Sequence, residues 1–131
     1  MNGVLLDTCA CIELFRSNRN ILNKLNSISR DLCYVSEIVV AELYIGAERS
    51  VRKEYEFNRI NSFLSKINIL PISNSIRRFA KEKARLQKEG TPIEDFDLLI
   101  GVSAVENNLM LVTDNIRHMS RINDILIENW R

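Results

Sequence analysis

The chain is read as an α/β protein, a three-layer α/β/α sandwich with a short, mostly parallel sheet. Three observations predict it. Apolar runs at residues 3–6 and 109–112 are only four residues long and do not alternate with polar residues, as in buried strands, and residues 33–35 and 68–70 read as further short strands. Stretches with helical periodicity separate them, and alternating strands and helices imply crossover connections with helices on both sides of the sheet. Gly and Pro are scarce, 4 and 2 among 131 residues, so helix dominates.

Each element has a local reason. Residues 3–6 form the first strand, and Asp7 or Thr8 caps a helix over residues 8–15. The polar break Ser17-Asn18-Arg19-Asn20 precedes a second helical piece reaching about residue 28. Cys33-Tyr34-Val35 is a strand, and Ser36 caps a helix to about residue 48. Residues 51–66 continue as an amphipathic helix with Tyr55, Ile60, Phe63 and Leu64 apolar among charges. Asn68-Ile69-Leu70 is a strand ended by Pro71. A helix over 73–89 turns Ile76, Phe79, Ala80 and Leu86 inward and stops at Gly90. Thr91-Pro92-Ile93-Glu94 has the form of a capping box with Pro in the first turn, opening a helix to about residue 107. Residues 109–112 are a buried strand, a short helical turn follows, and residues 124–127 make an edge strand.

The length suits one domain, 1–131, with a real core. An apolar fraction of 46% and a charged fraction of 27% are ordinary for a globular protein. No apolar run reaches the roughly 18 residues of a membrane span, and the start of the chain lacks the features of a signal peptide. Both point to the cytoplasm. Three cysteines, an odd number, argue for free thiols rather than a disulfide framework. A net charge of +1 does not by itself argue for nucleic acid. The charge is unevenly spread, however. Between Arg77 and Lys88 six basic residues, among them Arg78, Lys81 and Arg85, face one acid, Glu82. Such a run is either a solvated helix face or a track for phosphates.

Four carboxylates stand where folding alone would not place them. Asp7 and Asp114 each end an apolar strand, and ligands of open parallel sheets bind beyond the carboxyl ends of strands. Glu42 has Ile38, Val39, Ile45 and Gly46 at three- and four-residue offsets, and Asp97 has Ile93, Glu94, Ile100 and Gly101, so both ride on apolar helix faces. Gly46 and Gly101 let a neighbour approach closely. Taken singly, Asp7 is explained as a helix cap, Asp114 as a turn residue, and Glu42 and Asp97 as partners of a buried cation. Taken together, they point to one shared pocket. Clustered carboxylates repel unless a cation lies among them, and oxygen-only ligands select Mg²⁺ or Mn²⁺. Such ions activate water and neutralise phosphoryl charge, so phosphodiester hydrolysis is the expected chemistry. There is no glycine-rich phosphate loop. The single His118 reads as a surface or RNA-contacting residue rather than a general base.

The motifs together resemble a PIN domain, and within it the VapC toxins of type II toxin–antitoxin systems. Leu5-Leu6-Asp7-Thr8 resembles the opening strand motif, and Ser36 to Glu42 and Gly46-Ala47 the second acidic helix. Gly90 to Ala104, around Phe96-Asp97-Leu98, resembles the third, and Leu111-Val112-Thr113-Asp114-Asn115 the last strand end. The closing Glu128-Asn129-Trp130 is similar too. The resemblance implies a metal-dependent endoribonuclease in which Asp7, Glu42, Asp97 and Asp114 bind Mg²⁺ or Mn²⁺, an activated water attacks phosphorus and a 3′-hydroxyl leaves. It implies that Thr8, Thr113, Asn115 and His118 hydrogen-bond the acids or touch the RNA, and that Arg77, Arg78, Lys81 and Arg85 contact the RNA backbone. The implied partners are tRNA, a small VapB-like antitoxin covering the acidic pocket and a second copy of the chain, with Tyr44, Ile45 and Phe57 as candidate dimer residues. The chain departs from the family at Cys9, where Asn is usual, at Met119, where Phe is common, and at the fourth acid, which the family often places at or just after position 115, or at 118. That last departure keeps a non-catalytic RNA- or protein-binding module as the alternative. A phosphoryl-accepting domain with Asp7 as nucleophile lacks the Asp-x-Asp or strand-end Lys it would need.

Overall fold

A computed structural model describes residues 2–131. Five strands, β1 (Val4–Leu6), β2 (Cys33–Ser36), β3 (Asn68–Leu70), β4 (Met110–Val112) and β5 (Ile127–Glu128), form one sheet in the order β3-β2-β1-β4-β5. Every pairing is parallel. The helices are α1 (Thr8–Phe15), α2 (Arg19–Asn26), α3 (Glu37–Glu48), α4 (Lys53–Leu64), α5 (Ile76–Lys88), α6 (Asp95–Glu106) and α7 (Ile116–Met119). Among the described residues, no helix is long and apolar enough to cross a membrane.

β1 is the central strand and is wholly buried, as expected of a strand covered on both faces. From it the chain builds outward through β2 and β3 on one side, then returns to lay β4 and β5 on the other. The reversal falls between β1 and β4, where a doubly wound sheet opens a crevice beyond its strand ends. Register puts Leu6 beside Val112, and the Asp7 N–H donates to the Val112 carbonyl at 3.0 Å. The ladder therefore carries Asp7 to the mouth of that crevice.

The core joins β1, Val35, Leu111 and Val112 to Val39 and Leu43 of α3, Leu86 of α5 and Leu98, Ile100 and Val102 of α6. Each fully buried side chain of this size contributes roughly 1.5–3 kcal/mol of transfer free energy. The close approach expected at Gly101 is present: a Cβ there would meet Ile122 Cδ1 at 2.2 Å. Gly46 has nothing within 4 Å and faces open space.

Several expected boundaries shift, each for a physical reason. Thr91 does not cap α6. Its N–H donates to Leu86 O and that of Gly90 to Gln87 O, the paired bonds that close α5 over Gly90 at φ +73°. α6 therefore begins at Asp95, with Glu94 as a cap residue that makes no side-chain capping bond. Residues 50–52 form a turn with Val51 exposed, so α4 starts at Lys53. Ser73–Ser75 form a 3-10 turn ahead of α5. Ile76 and Ala80 face outward, whereas Glu82 is buried with Leu86. Its carboxylate takes two bonds from Arg85 and one from the Asn123 N–H, which removes the cost of its burial. The last strand is Ile127–Glu128, because Asp124 turns at φ +65° and breaks the run before it.

Candidate active site: an acidic cleft at the sheet's carboxyl end

Asp7 is 5% exposed and held at both oxygens. As the cap of α1, its Oδ1 accepts the Thr8 N–H at 2.7 Å, while Oδ2 accepts the Thr113 hydroxyl at 2.7 Å. The Cys9 thiol lies 3.9 Å from Oδ2 and 3.7 Å from Thr113 Oγ1. Burial pushes the Asp7 carboxyl above its ordinary range against these bonds, and the charge of Asp114 adds to the rise. Burial also pushes the Cys9 thiol up to about 12, which keeps it neutral.

Glu42 reaches the same place from α3, its Oε1 accepting the Thr8 hydroxyl at 2.7 Å. Its carboxyl is raised, first by burial and then by the charges of Asp7 and Glu94, with the Thr8 bond opposing. Asp97 arrives on the first turns of α6. It is pushed up to about 6, first by burial, then by Asp7, Glu94 and Glu42. Among the described hydrogen bonds, none is donated to its carboxylate. The charge of Asp7 reaches both Glu42 and Asp97, and that of Glu42 reaches Asp97, so the three are neighbours although two lie on separate helices and one at a strand end.

Asp114 is more exposed, and its Oδ2 accepts Arg131 Nη1 at 3.0 Å. The Asn115 N–H donates to Thr113 Oγ1 at 3.0 Å, and its side-chain Oδ1 lies 2.8 Å from His118 Nδ1. Asn115 therefore braces Thr113 while His118 caps it from outside. On α5, Arg78 pairs with Glu106 and Arg85 with Glu82 and Glu89, so these two cations are held by acids, whereas Arg77 and Lys81 are exposed. Glu106 lies nine residues beyond Asp97 on α6, roughly 13 Å along the helix, which sets Arg78 well away from the cleft. Of the candidate dimer residues, Tyr44 and Phe57 pack on each other at 5.4 Å and only Ile45 is exposed.

Two acids were not singled out as site residues from the sequence. Glu94 was read as a capping partner, yet its charge bears on both Glu42 and Asp97; its place three residues before Asp97 was the available signal. Glu13, which takes Arg16 and Arg131, had no signal.

The donor set is oxygen only, which suits a hard divalent cation. Among the described residues, no three of these acids close on a single point as they stand. Mutual repulsion keeps uncompensated carboxylates apart, and Mg²⁺ keeps several waters while taking one or two carboxylates, so the residues fit such an ion without a closed cage.

Residues 4–125 match the family profile described as the PIN domain. The chain is 37% identical over 128 residues to Ribonuclease VapC2 of Haemophilus influenzae, with 96% of each chain covered. It is 30% identical over 128 residues to the tRNA(fMet)-specific endonuclease VapC of Salmonella typhimurium, again with 96% of each covered. A crystal structure of DNA-bound VapBC from Salmonella typhimurium superposes with a TM-score of 0.93 at 29% identity, covering 100% of both chains.

Proposed function

The chain belongs to the PIN-domain family, in its VapC ribonuclease branch, and from that premise we propose that it is an endoribonuclease toxin held in check by a VapB-like antitoxin. The observation that carries the reading is the grouping of Asp7, Glu42 and Asp97 at the reversal point of the sheet, where burial raises all three and the charge of Asp7 adds to the rise of the other two. Nothing in the packing of the core requires acids there.

We further propose that Asp7, Glu42 and Asp97 hold Mg²⁺ or Mn²⁺, which when bound supplies charge neutralisation and an activated water. The remaining chemistry belongs to the chain. Thr8 N–H and Thr113 Oγ1 fix the two oxygens of Asp7, so its orientation is set before substrate arrives. The Thr8 hydroxyl ties Glu42 to the start of α1 and fixes the distance between the two acids. Asn115 N–H holds Thr113 in turn. Asp97, without a protein donor among the described hydrogen bonds and pushed up to about 6, is the acid most in need of a cation.

The substrate proposed is tRNA; the exposed Arg77 and Lys81 share a depression with Arg78 and Glu106, so they reach its backbone only at a distance from the acids. The partner's segment is placed in an apolar groove of about 590 Å³ between α1, α2 and α4, lined by Leu14, Phe15, Leu22, Leu25 and Phe63 with Arg59 and Lys66 at its edge. A second depression shares Phe15 and Arg59 with it and runs on to Thr8 and Glu42, so a segment lying in the groove leads to the acids. A homodimer in the cytoplasm is proposed as the working state.

The test uses protein freed of antitoxin and incubated with bulk tRNA, with Mn²⁺, Mg²⁺ or chelator. Cleavage that needs the ion and vanishes in Asp7→Asn and Asp97→Asn, both still folded, supports the reading. Protein that takes up no divalent ion by calorimetry and cuts no RNA sinks it, and leaves the non-catalytic module.

A further inference from the structure

The fourth acid does not join the other three. Asp114 follows Thr113, whose hydroxyl orients Asp7, and its charge reaches Asp7. Glu42 and Asp97 respond to Asp7, to Glu94 and, for Asp97, to Glu42, but not to Asp114. The Asp114 carboxylate is turned instead to Arg131, whose Nη1 donates to Oδ2 at 3.0 Å.

The place of that guanidinium is built. Arg131 Nη2 lies 3.4 Å from Glu13 Oε1, and the Glu13 side chain, 13% exposed, is also bonded by Arg16 and Asn18. The backbone that presents Arg131 is anchored: Trp130 is buried, its indole N–H donates to Glu128 Oε1 at 2.8 Å, and the Arg131 N–H donates to Asn129 Oδ1 at 3.0 Å. Charges therefore alternate, Arg16, Glu13, Arg131, Asp114, from α1 to the end of β4.

We propose that Arg131 is a positioning residue that holds Asp114 in reserve, releasing it to the cation site when a substrate phosphate draws the guanidinium away. The inference rests on the reading of the cleft as a divalent-cation site. A guanidinium fork fits carboxylate and phosphate alike, so a phosphodiester competes with Asp114 on equal geometric terms. The Arg131 side chain is 55% exposed, which gives phosphate access and leaves the ion pair weakly held. The rim of the cleft thus couples arrival of the nucleic acid to completion of the ligand set.

Mn²⁺ titration by calorimetry, which needs no turnover, tests this with the whole chain in four forms: unaltered, Arg131→Gln, Asp114→Asn and the double variant. Melting curves first establish that all are folded. Arg131→Gln is expected to bind Mn²⁺ roughly threefold to fivefold more tightly, the scale of a half-exposed ion pair. Asp114→Asn is expected to stay within about twofold of the unaltered chain, and the double variant to match Asp114→Asn. A single-stranded DNA oligonucleotide, which offers phosphodiesters without the 2′-hydroxyl that a ribonuclease needs, is expected to tighten Mn²⁺ binding by the unaltered chain and not by Arg131→Gln.

Equal tightening by Arg131→Gln with and without Asp114 would show a field effect that bypasses Asp114 and overturn the proposal. So would a large loss in Asp114→Asn alone, or an oligonucleotide effect that survives Arg131→Gln. An unaltered chain that binds no Mn²⁺ would bring down the cation reading itself, a result distinct from normal binding that is indifferent to Arg131.

Discussion

Replacing Asp97 with Asn should stabilise the ion-free protein at neutral pH. The Asp97 carboxyl is pushed up to about 6, first by burial and then by Asp7, Glu94 and Glu42. Against an ordinary aspartate that is about two pH units, at most about 3 kcal/mol. The side chain keeps partial contact with water, so screening reduces this to roughly 1–2 kcal/mol. The folded chain holds this proton more tightly than the unfolded chain. Stability is therefore highest below about pH 4, falls as pH rises through about 6, and stays lower above it. Asn carries no charge and removes that fall. In chelator at about pH 7.5, scanning calorimetry should show Asp97→Asn melting roughly 4–8 °C above the unaltered chain, with the gap shrinking toward about pH 4. Mn²⁺ should reverse the order, since only the unaltered chain keeps all its ligands. A variant that melts lower in chelator at neutral pH, or a gap that ignores pH, would refute the claim that these acids repel one another in one cleft.

Other consequences are more local. Thr113→Val removes the donor to Asp7 Oδ2 and should cost roughly 1–3 kcal/mol in chemical denaturation, with a marked loss of tRNA cleavage. Glu82→Gln leaves Arg85 and the Asn123 N–H poorly matched and should cost roughly 1–3 kcal/mol in the same experiment, while RNA cleavage stays intact. Leu22→Asp with Lys66→Glu alters the floor and edge of the groove. It should weaken antitoxin binding roughly tenfold or more by calorimetry and leave cleavage by the free toxin unchanged.

The sheet was legible because β1 and β4 are apolar without alternation, a pattern that only a strand covered on both faces requires. Asp7 and Asp97 were legible for the converse reason, as acids beside residues that had to pack, whereas the face of Glu42 packs only in part, with Ile45 and Gly46 exposed. Errors gathered where one residue type serves two ends. Thr91 and Glu94 spell a capping box, but Gly90 claims the Thr91 N–H for the helix before it. The burial of Glu82 left no mark in sequence: Arg85, three residues on, fits an exposed pair as well, and the other donor, the Asn123 amide, lies 41 residues away. Arg131 was invisible for the same reason, since its partners Glu13 and Asp114 meet only once β5 is laid beside β4. Side-chain ion pairs across long separations carry no periodicity from which they might be read.

The acids differ in how firmly the backbone grips them. The Asp7 amide is itself a rung beyond the central strand, bonded to Val112, so its position is lost only if the middle of the molecule opens. Asp97 sits in the first turn of α6, whose start has no side-chain cap, behind a loop tied down by a side chain, Arg121 on the Pro92 carbonyl, and not by a sheet ladder. Amide exchange at residue 7 should therefore track global unfolding, while the segment ahead of α6 exchanges sooner. Under that hierarchy one carboxylate is the fixed datum, and assembly of the cleft is a matter of the others settling against it.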